Sequence, residues 1–328
     1  MKNNSKDLPL RILIISDGRL GRYRRSQTIA AAISRKRPAI VNTVEISPNP
    51  RLHKYLGKIT GFSLPPKLLL TILLGNRWQD FPVSDLIISS GGMSLQANIA
   101  LAKIWGVPNI FSGDRRRISS DPDLVLTMNP DNTDAPNHQF ALTCARLDPD
   151  DLPPPNREIG TIGVLVGGPN DEIEYSRQDW ILFAGIIEKL AADNFALTVA
   201  TSPRTPEAFY DALGDLADTV KLIDFRSTGP AELDEVFSLD AMLVSIDSTS
   251  MIVEGISARR PVIALKPNDL ERLPDASLFK NLTQEKRLQI CSLNKLSAAE
   301  IVRKLQTLEP MNKNVLEIIY QMISPKLV

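Results

Sequence analysis

Three consecutive hydroxyl residues, Ser248-Thr249-Ser250, followed one helical turn later by Glu254, carry the most specific chemistry in this chain. A short apolar run, 242–246, precedes them and ends at Asp247; a second, 261–265, follows. Two such runs around one helix read as neighbouring parallel strands, so the hydroxyls fall at a helix N-terminus. That terminus carries unpaired amide donors and the positive end of the helix dipole, which attract phosphate. Glu254 shares a helix face with Ser250. Its carboxylate could receive both hydroxyls of a ribose, at about 1.5–3 kcal/mol per charge-assisted bond before desolvation. The rival reading is a capped helix with a solvated glutamate.

Other strand ends repeat the theme. Gly167-Gly168-Pro169-Asn170 offers backbone that an anion can approach without a Cβ in the way, yet it lacks the full phosphate-loop and dinucleotide fingerprints. Thr201-Ser202-Pro203-Arg204-Thr205-Pro206 adds hydroxyls and a cation able to clamp a diphosphate. It also reads as a helix start, with Thr205 as N-cap and Pro206 at the first helical position. Near the N-terminus, Asp17-Gly18-Arg19-Leu20-Gly21-Arg22 places a carboxylate where an acid or base could act, or where it could pair with a neighbouring arginine. Gly91-Gly92 is a further ligand-facing turn, and Asp114 precedes three arginines suited to an acceptor phosphate or to a solvated face. Neither His53 nor His138 has a partner at metal-ligand spacing, so no metal is expected.

These residues need strands and helices to hold them. Buried-strand patterns at 10–16, 85–89, 107–111 and 124–127 alternate with helical patterns in the first half; patterns at 161–166, 196–200, 220–223, 242–246 and 261–265 do so in the second. Each half reads as a doubly wound α/β unit, in which ligands bind beyond the carboxyl ends of the strands. The predicted organisation is an N-terminal Rossmann-like domain over 1–148, a proline-rich linker over 149–157, a C-terminal Rossmann-like domain over 158–310 and a closing helix over 311–328. The two domains are expected to face one another across a cleft. Three successive prolines, 153–155, mark the linker because they remove donors and fix φ.

A length of 328 residues and only 5% aromatics suit two such aliphatic cores. Charge divides unevenly: residues 1–157 hold 21 Lys and Arg against 13 Asp and Glu, residues 158–328 hold 17 against 25, and residues 1–78 hold 15 against 3. An anionic partner at the N-terminal end follows, with no nucleic-acid motif to make it DNA or RNA. Within 54–78, ten Leu, Ile and Phe residues are interleaved with Lys54, Lys58, Lys67 and Arg77, and Trp78 closes the stretch. That pattern fits an anionic membrane surface or a core helix. Cys144 and Cys291 suggest neither a disulfide framework nor zinc, and a cytoplasmic chain, peripheral at the inner face of a membrane, is expected.

Asp17-Gly-Arg-Leu-Gly21, the stretch 86–92, Gly167-Gly-Pro169, the stretch 201–206 and Ser245 through Glu254, in that order, resemble the mitochondrial fission, elongated-mitochondria family and its bacterial relatives. The resemblance implies a two-domain GT-B-like fold and a glycosyltransferase using a nucleoside-diphosphate sugar, with uridine diphosphate the expected carrier, no separate cofactor, and an anionic or lipid-linked acceptor. Gly167, Gly168, Thr201, Ser202, Arg204, Ser248, Thr249, Ser250 and Glu254 would hold the nucleotide sugar. Asp17 would be the catalytic base, and Gly18, Arg22, Gly91, Gly92 and Asp114 would line the acceptor side. The alternatives are a nucleotide-sugar 2-epimerase or hydrolase, and a non-catalytic membrane-associated scaffold. Two departures stand out: Arg22 occupies a position where the family commonly has histidine, and Pro203-Arg204 stands where two arginines are usual.

Overall fold

A computed structural model describes residues 8–47, 64–114, 121–156, 158–228, 230–294 and 296–327. The chain forms two compact units: Met1–Cys144 together with Val315–Val328, and Ala145–Asn314. Each is built on one six-stranded parallel sheet.

In unit 1 the order along the chain is β1 (Leu10–Ser16), α1 (Leu20–Ser34), β2 (Ala39–Glu45), α2 (Pro66–Leu74), β3 (Leu86–Ser90), α3 (Gly92–Trp105), β4 (Asn109–Ser112), β5 (Leu124–Thr127) and β6 (His138–Phe140). The sheet order is β2-β1-β3-β4-β5-β6. Ile12, Leu13, Ile14 and Ile15 of β1 are buried on both faces, as a central parallel strand requires. The chain turns from β1 towards β2 and then resumes on the other side at β3, so the crevice between the β1 and β3 ends is the topological switch point.

The segment predicted as either a membrane-surface stretch or a core helix divides. Its residues 54–63 lie outside the described residues. From α2 onward, Leu69, Leu70, Leu73 and Trp78 join Leu13, Ile15, Ile87 and Leu101 in the core, while Leu68 at 47% and Ile72 at 37% stay exposed. Among the described residues, no helix is long and apolar enough to cross a membrane.

Unit 2 continues with β7 (Thr161–Leu165), α4 (Arg177–Ala192), β8 (Ala196–Ala200), α5 (Glu207–Leu213), β9 (Lys221–Ile223), β10 (Ala241–Ser245), α6 (Thr249–Ser257), β11 (Val262–Lys266), α7 (Ala276–Gln284), β12 (Leu288–Ser292) and α8 (Ala298–Gln306). Its order, β12-β11-β10-β7-β8-β9, is the Rossmann order, with the switch point between β7 and β10. Ser176 and Asp179 form a reciprocal capping box that starts α4. Trp180, Phe183 and Phe209 pack edge and face in the core below.

The predicted domain limits shift in two places. Residues 149–156 are not a free linker, because unit 2 begins at Ala145. Arg146 pairs with Asp234, Arg259 with Asp150 at 2.8 Å, and the buried Arg260 donates to the carbonyls of Pro153 at 2.6 Å and Phe237 at 2.8 Å. Prolines deprive that segment of donors, and arginines of unit 2 occupy its acceptors. The helix Val315–Ile323 belongs to unit 1, where it packs against α1. Lys36, in the turn just past α1, meets Glu317 at 2.5 Å.

Candidate functional site

Three loops gather at the switch point of unit 2: the turn after β7, the loop between β8 and α5, and the turn between β10 and α6. Their common centre is Asp247, whose side chain is 0% exposed. Its carboxylate accepts from Gly168 N at 3.0 Å, from Tyr175 OH at 3.0 Å and from Arg204 Nη2 at 2.8 Å. Burial, with the neighbouring Asp247 charge, pushes the Tyr175 phenol far above its usual pKa. Arg204 Nη1 donates to Gly168 O at 2.7 Å, and Asn170 Nδ2 to Asp247 O at 3.1 Å.

The glycines serve this convergence. Gly167 N donates to Ser245 Oγ at 2.7 Å, and an added Cβ would lie 2.1 Å from Asp247 Oδ2. At Gly168 it would lie 1.8 Å from Arg204 O. Sequence reasoning reserved these amides for an anionic ligand. The structure gives them to Ser245 and Asp247 instead, so the missing Cβ atoms admit the protein's own loops.

Ser202 Oγ donates to Gly167 O at 3.1 Å and Thr205 Oγ1 to Val166 O at 2.8 Å, tying the β8 loop to the β7 turn. Pro206 is the N-cap of α5, and the Thr205 hydroxyl is spent on those carbonyls rather than on the cap. Thr201 faces another way. Its Oγ1 accepts from Tyr210 OH at 2.9 Å and Phe225 N at 3.0 Å, beside Asp224. Arg226 stacks on the Tyr210 ring at 3.5 Å and binds Asp224 through Nε at 3.0 Å.

Burial resists ionisation of Asp224, but hydrogen bonds from Arg226 and Tyr210 outweigh it and lower its pKa to about 2. A depressed carboxylate stabilises the fold above its ordinary value near 3.8 and loses that contribution as pH falls towards 2. Unit 2 is therefore expected to melt at falling temperature between pH 4 and pH 2, and Asp224→Asn to flatten that dependence in a calorimetric pH series. Identical slopes for both proteins would refute the assignment.

At α6, Ser248 is the N-cap and its Oγ accepts from Met251 N at 3.5 Å. Thr249 Oγ1 donates to Asp275 Oδ2 at 2.6 Å. Ser250 is half-buried, and Glu254 is buried on the next turn. The α6 N-terminus, Arg204 and Glu254 thus supply a dipole, a cation and a carboxylate at strand ends of one unit.

Unit 1 brings together Asp17, Gly18, Arg22, Gly91 and Gly92 at its own switch point. Asp17, with a side chain 5% exposed, forms an ion pair with Arg22. The stem of Arg22 crosses Gly91 so closely that a Cβ there would sit 2.4 Å from Arg22 Cδ. Gly91 has φ +84° and Gly18 +78°, values that favour glycine. The pairing is one of the two sequence readings of Asp17, and it commits the carboxylate before any substrate arrives. Asp114 is exposed at the β4 end, and the arginines 115–117 lie outside the described residues, as does His53. His138 is a buried residue of β6. Among the described residues no cluster of His, Cys, Asp and Glu is placed to hold a metal ion.

Sequence reasoning gave Tyr175 no place, and named Asp247 and Asn170 only as the ends of a strand and a turn, without the bonds they make. Only the position of Asp247 between a buried strand and a helix start could have flagged it.

No curated protein matches the chain by sequence. Among solved structures, the fold is similar to MurG of Acinetobacter baumannii, with 11% identity, TM-score 0.52, and 96% of this chain and 100% of that one covered. It is also similar to the S. aureus MnaA–UDP co-structure, with 11% identity, TM-score 0.55 and coverages of 97% and 98%. The Methanocaldococcus jannaschii UDP-GlcNAc 2-epimerase in complex with UDP-GlcNAc and UDP gives 11%, 0.51, and 97% and 100%. These likenesses show a GT-B-like fold. The sequence pattern of the family described as Mitochondrial fission ELM1 matches residues 21–315, nearly the whole chain, and the protein therefore belongs to that family.

Proposed function

We propose that this protein is a glycosyltransferase that binds a nucleoside-diphosphate sugar in unit 2 and an anionic or lipid-linked acceptor on unit 1. The observation that carries this reading is the α6 terminus, where Ser248, Thr249 and Ser250 lead into a buried Glu254 beside the Arg204 loop. The helix N-terminus and Arg204 would face the diphosphate and stabilise it as leaving group, and Glu254 would take the ribose hydroxyls. In the transfer, the bond from the sugar C1 to the β-phosphate oxygen breaks and a bond from C1 to the acceptor oxygen forms. The acceptor proton passes to Asp17 once Arg22 releases it.

Thermal shift with uridine, guanosine and cytidine diphosphates tests this, since a ligand of the native state raises the melting point. At least one should stabilise the protein, with Glu254→Ala abolishing the shift. No shift with any nucleotide, or a shift that survives Glu254→Ala, would overturn the ribose-binding reading.

One observation favours a second reading, a nucleotide-sugar 2-epimerase or hydrolase: Asp17 is already paired with Arg22. Product analysis without acceptor separates the two, because only the second consumes donor alone.

The peripheral placement rests on α2, where exposed Leu68 and Ile72 lie on one face, with exposed Lys67 in the same helix and exposed Arg77 just past its end. Flotation with anionic liposomes should carry the protein upward, and Leu68→Glu with Ile72→Glu should leave it in the soluble fraction. Equal flotation of both proteins would remove α2 from the membrane contact.

A further inference from the structure

We infer that Asp247 is a positioning residue for anion recognition: it fixes the Arg204 guanidinium, against the Gly167-Gly168 turn, in the orientation an incoming diphosphate meets. The inference rests on the nucleotide reading above but adds a residue which that reading leaves without a role. Three donors from two loops, Gly168 N and Tyr175 OH between β7 and α4 and Arg204 Nη2 between β8 and α5, converge on one fully buried carboxylate. An unpaired charge would not persist in such a place.

Of the three, Gly168 is buried and Tyr175 half-buried, and Arg204 is the exposed one, with its side chain 40% exposed. Its inner edge is committed to Asp247, to Gly168 O at 2.7 Å and to Pro169 O at 3.3 Å. A guanidinium carries five N–H donors in a rigid fork, so this anchoring leaves donors on the outer edge at a defined angle. A free arginine would surrender much side-chain entropy on binding an anion; one already anchored surrenders less.

The sign of one mutant effect separates positioning from bulk electrostatics. Asp247 contributes a negative charge beside an anion site, so by Coulomb's law alone its neutralisation should tighten diphosphate binding. Positioning predicts the reverse, because Arg204 loses its anchor.

The experiment is calorimetric titration of the full chain with uridine diphosphate and with uridine, for wild type, Asp247→Asn, Arg204→Ala, the double variant and Tyr175→Phe. Asp247→Asn should weaken the diphosphate roughly ten- to a hundredfold, the worth of about one charge-assisted hydrogen bond, and leave uridine unchanged. Arg204→Ala should lose as much, and the double variant no more than Arg204→Ala, since both act through one group. Tyr175→Phe removes a donor to Asp247 without touching Arg204, so it should retain the diphosphate increment; a loss equal to that of Asp247→Asn would mean the carboxylate acts only by holding the fold. Unchanged or tighter diphosphate binding in Asp247→Asn, or additive losses in the double variant, would overturn the inference. Phenylglyoxal labelling of Arg204, read by mass spectrometry, keeps the two proposals distinct. If wild type binds no nucleotide, the functional reading falls, and labelling of Arg204 no faster in Asp247→Asn than in wild type would overturn the anchoring as well.

Discussion

Alanine at Gly168 is expected to destabilise unit 2 by roughly 3–5 kcal/mol, the sum of an overpacking term and a lost hydrogen bond to a charged group. The added Cβ would lie 1.8 Å from Arg204 O and 2.4 Å from Arg204 C. Backbone cannot swing aside as a flexible side chain can, so either the β7 turn or the β8 loop must move. Both moves break the 3.0 Å bond from Gly168 N to Asp247 and leave a buried carboxylate short of a donor. For a unit of this size the melting point should drop by about 10 °C, and any stabilisation by uridine diphosphate should vanish. Gly185 supplies the control. It sits in α4 with nothing within 4 Å of an added Cβ, so Gly185→Ala should raise stability by roughly 0.5–1 kcal/mol through helix propensity. Denaturant unfolding of both variants checks the pair; equal effects would mean that the Gly168 contact relaxes at little cost.

The two switch points explain why the fold was legible and the site only partly so. Buried parallel strands such as 10–16 and 241–245 are nearly unbroken apolar runs, and each ends at a glycine or hydroxyl that marks the loop. β2 is different: its edge position leaves Ile40, Val41 and Thr43 exposed, so it shows neither clean alternation nor a fully apolar run. At the candidate site, residue type singled out loops but not the partners they meet. A glycine after a strand permits close approach without saying by what, and at Gly167 and Gly168 the visitor is the chain itself. Asp247 was unreadable for a related reason. Its donors come from positions 168, 175 and 204, and only the Rossmann strand order places those loops together.

The C-terminal helix yields the other large effect: a chain ending at Asn314 should leave unit 1 unable to fold cooperatively while unit 2 retains its structure. Val315, Leu316, Ile319 and Ile323 are all buried, and the helix they belong to packs against α1 of unit 1. At about 1.5–3 kcal/mol per buried aliphatic side chain, four of them contribute roughly 6–12 kcal/mol as an upper estimate. That is comparable to the whole stability of an ordinary domain. Glu317 of the same helix pairs with Lys36, just past the end of α1, and hydrogen bonding to Lys36 lowers the Glu317 pKa. Both side chains are about one-third exposed, so solvent screens the pair and Lys36→Ala should cost far less than Ile319→Ala, which should cost roughly 2–4 kcal/mol through the cavity it leaves. Hydrogen exchange resolves the outcome by region. Protection should be lost across β1 to β6 and kept across β7 to β12, because the deleted residues complete the first core and make no part of the second. Uniform protection in the shortened chain would show that α1 and the sheet of unit 1 close without the helix, and uniform loss would show that the two cores fold as one.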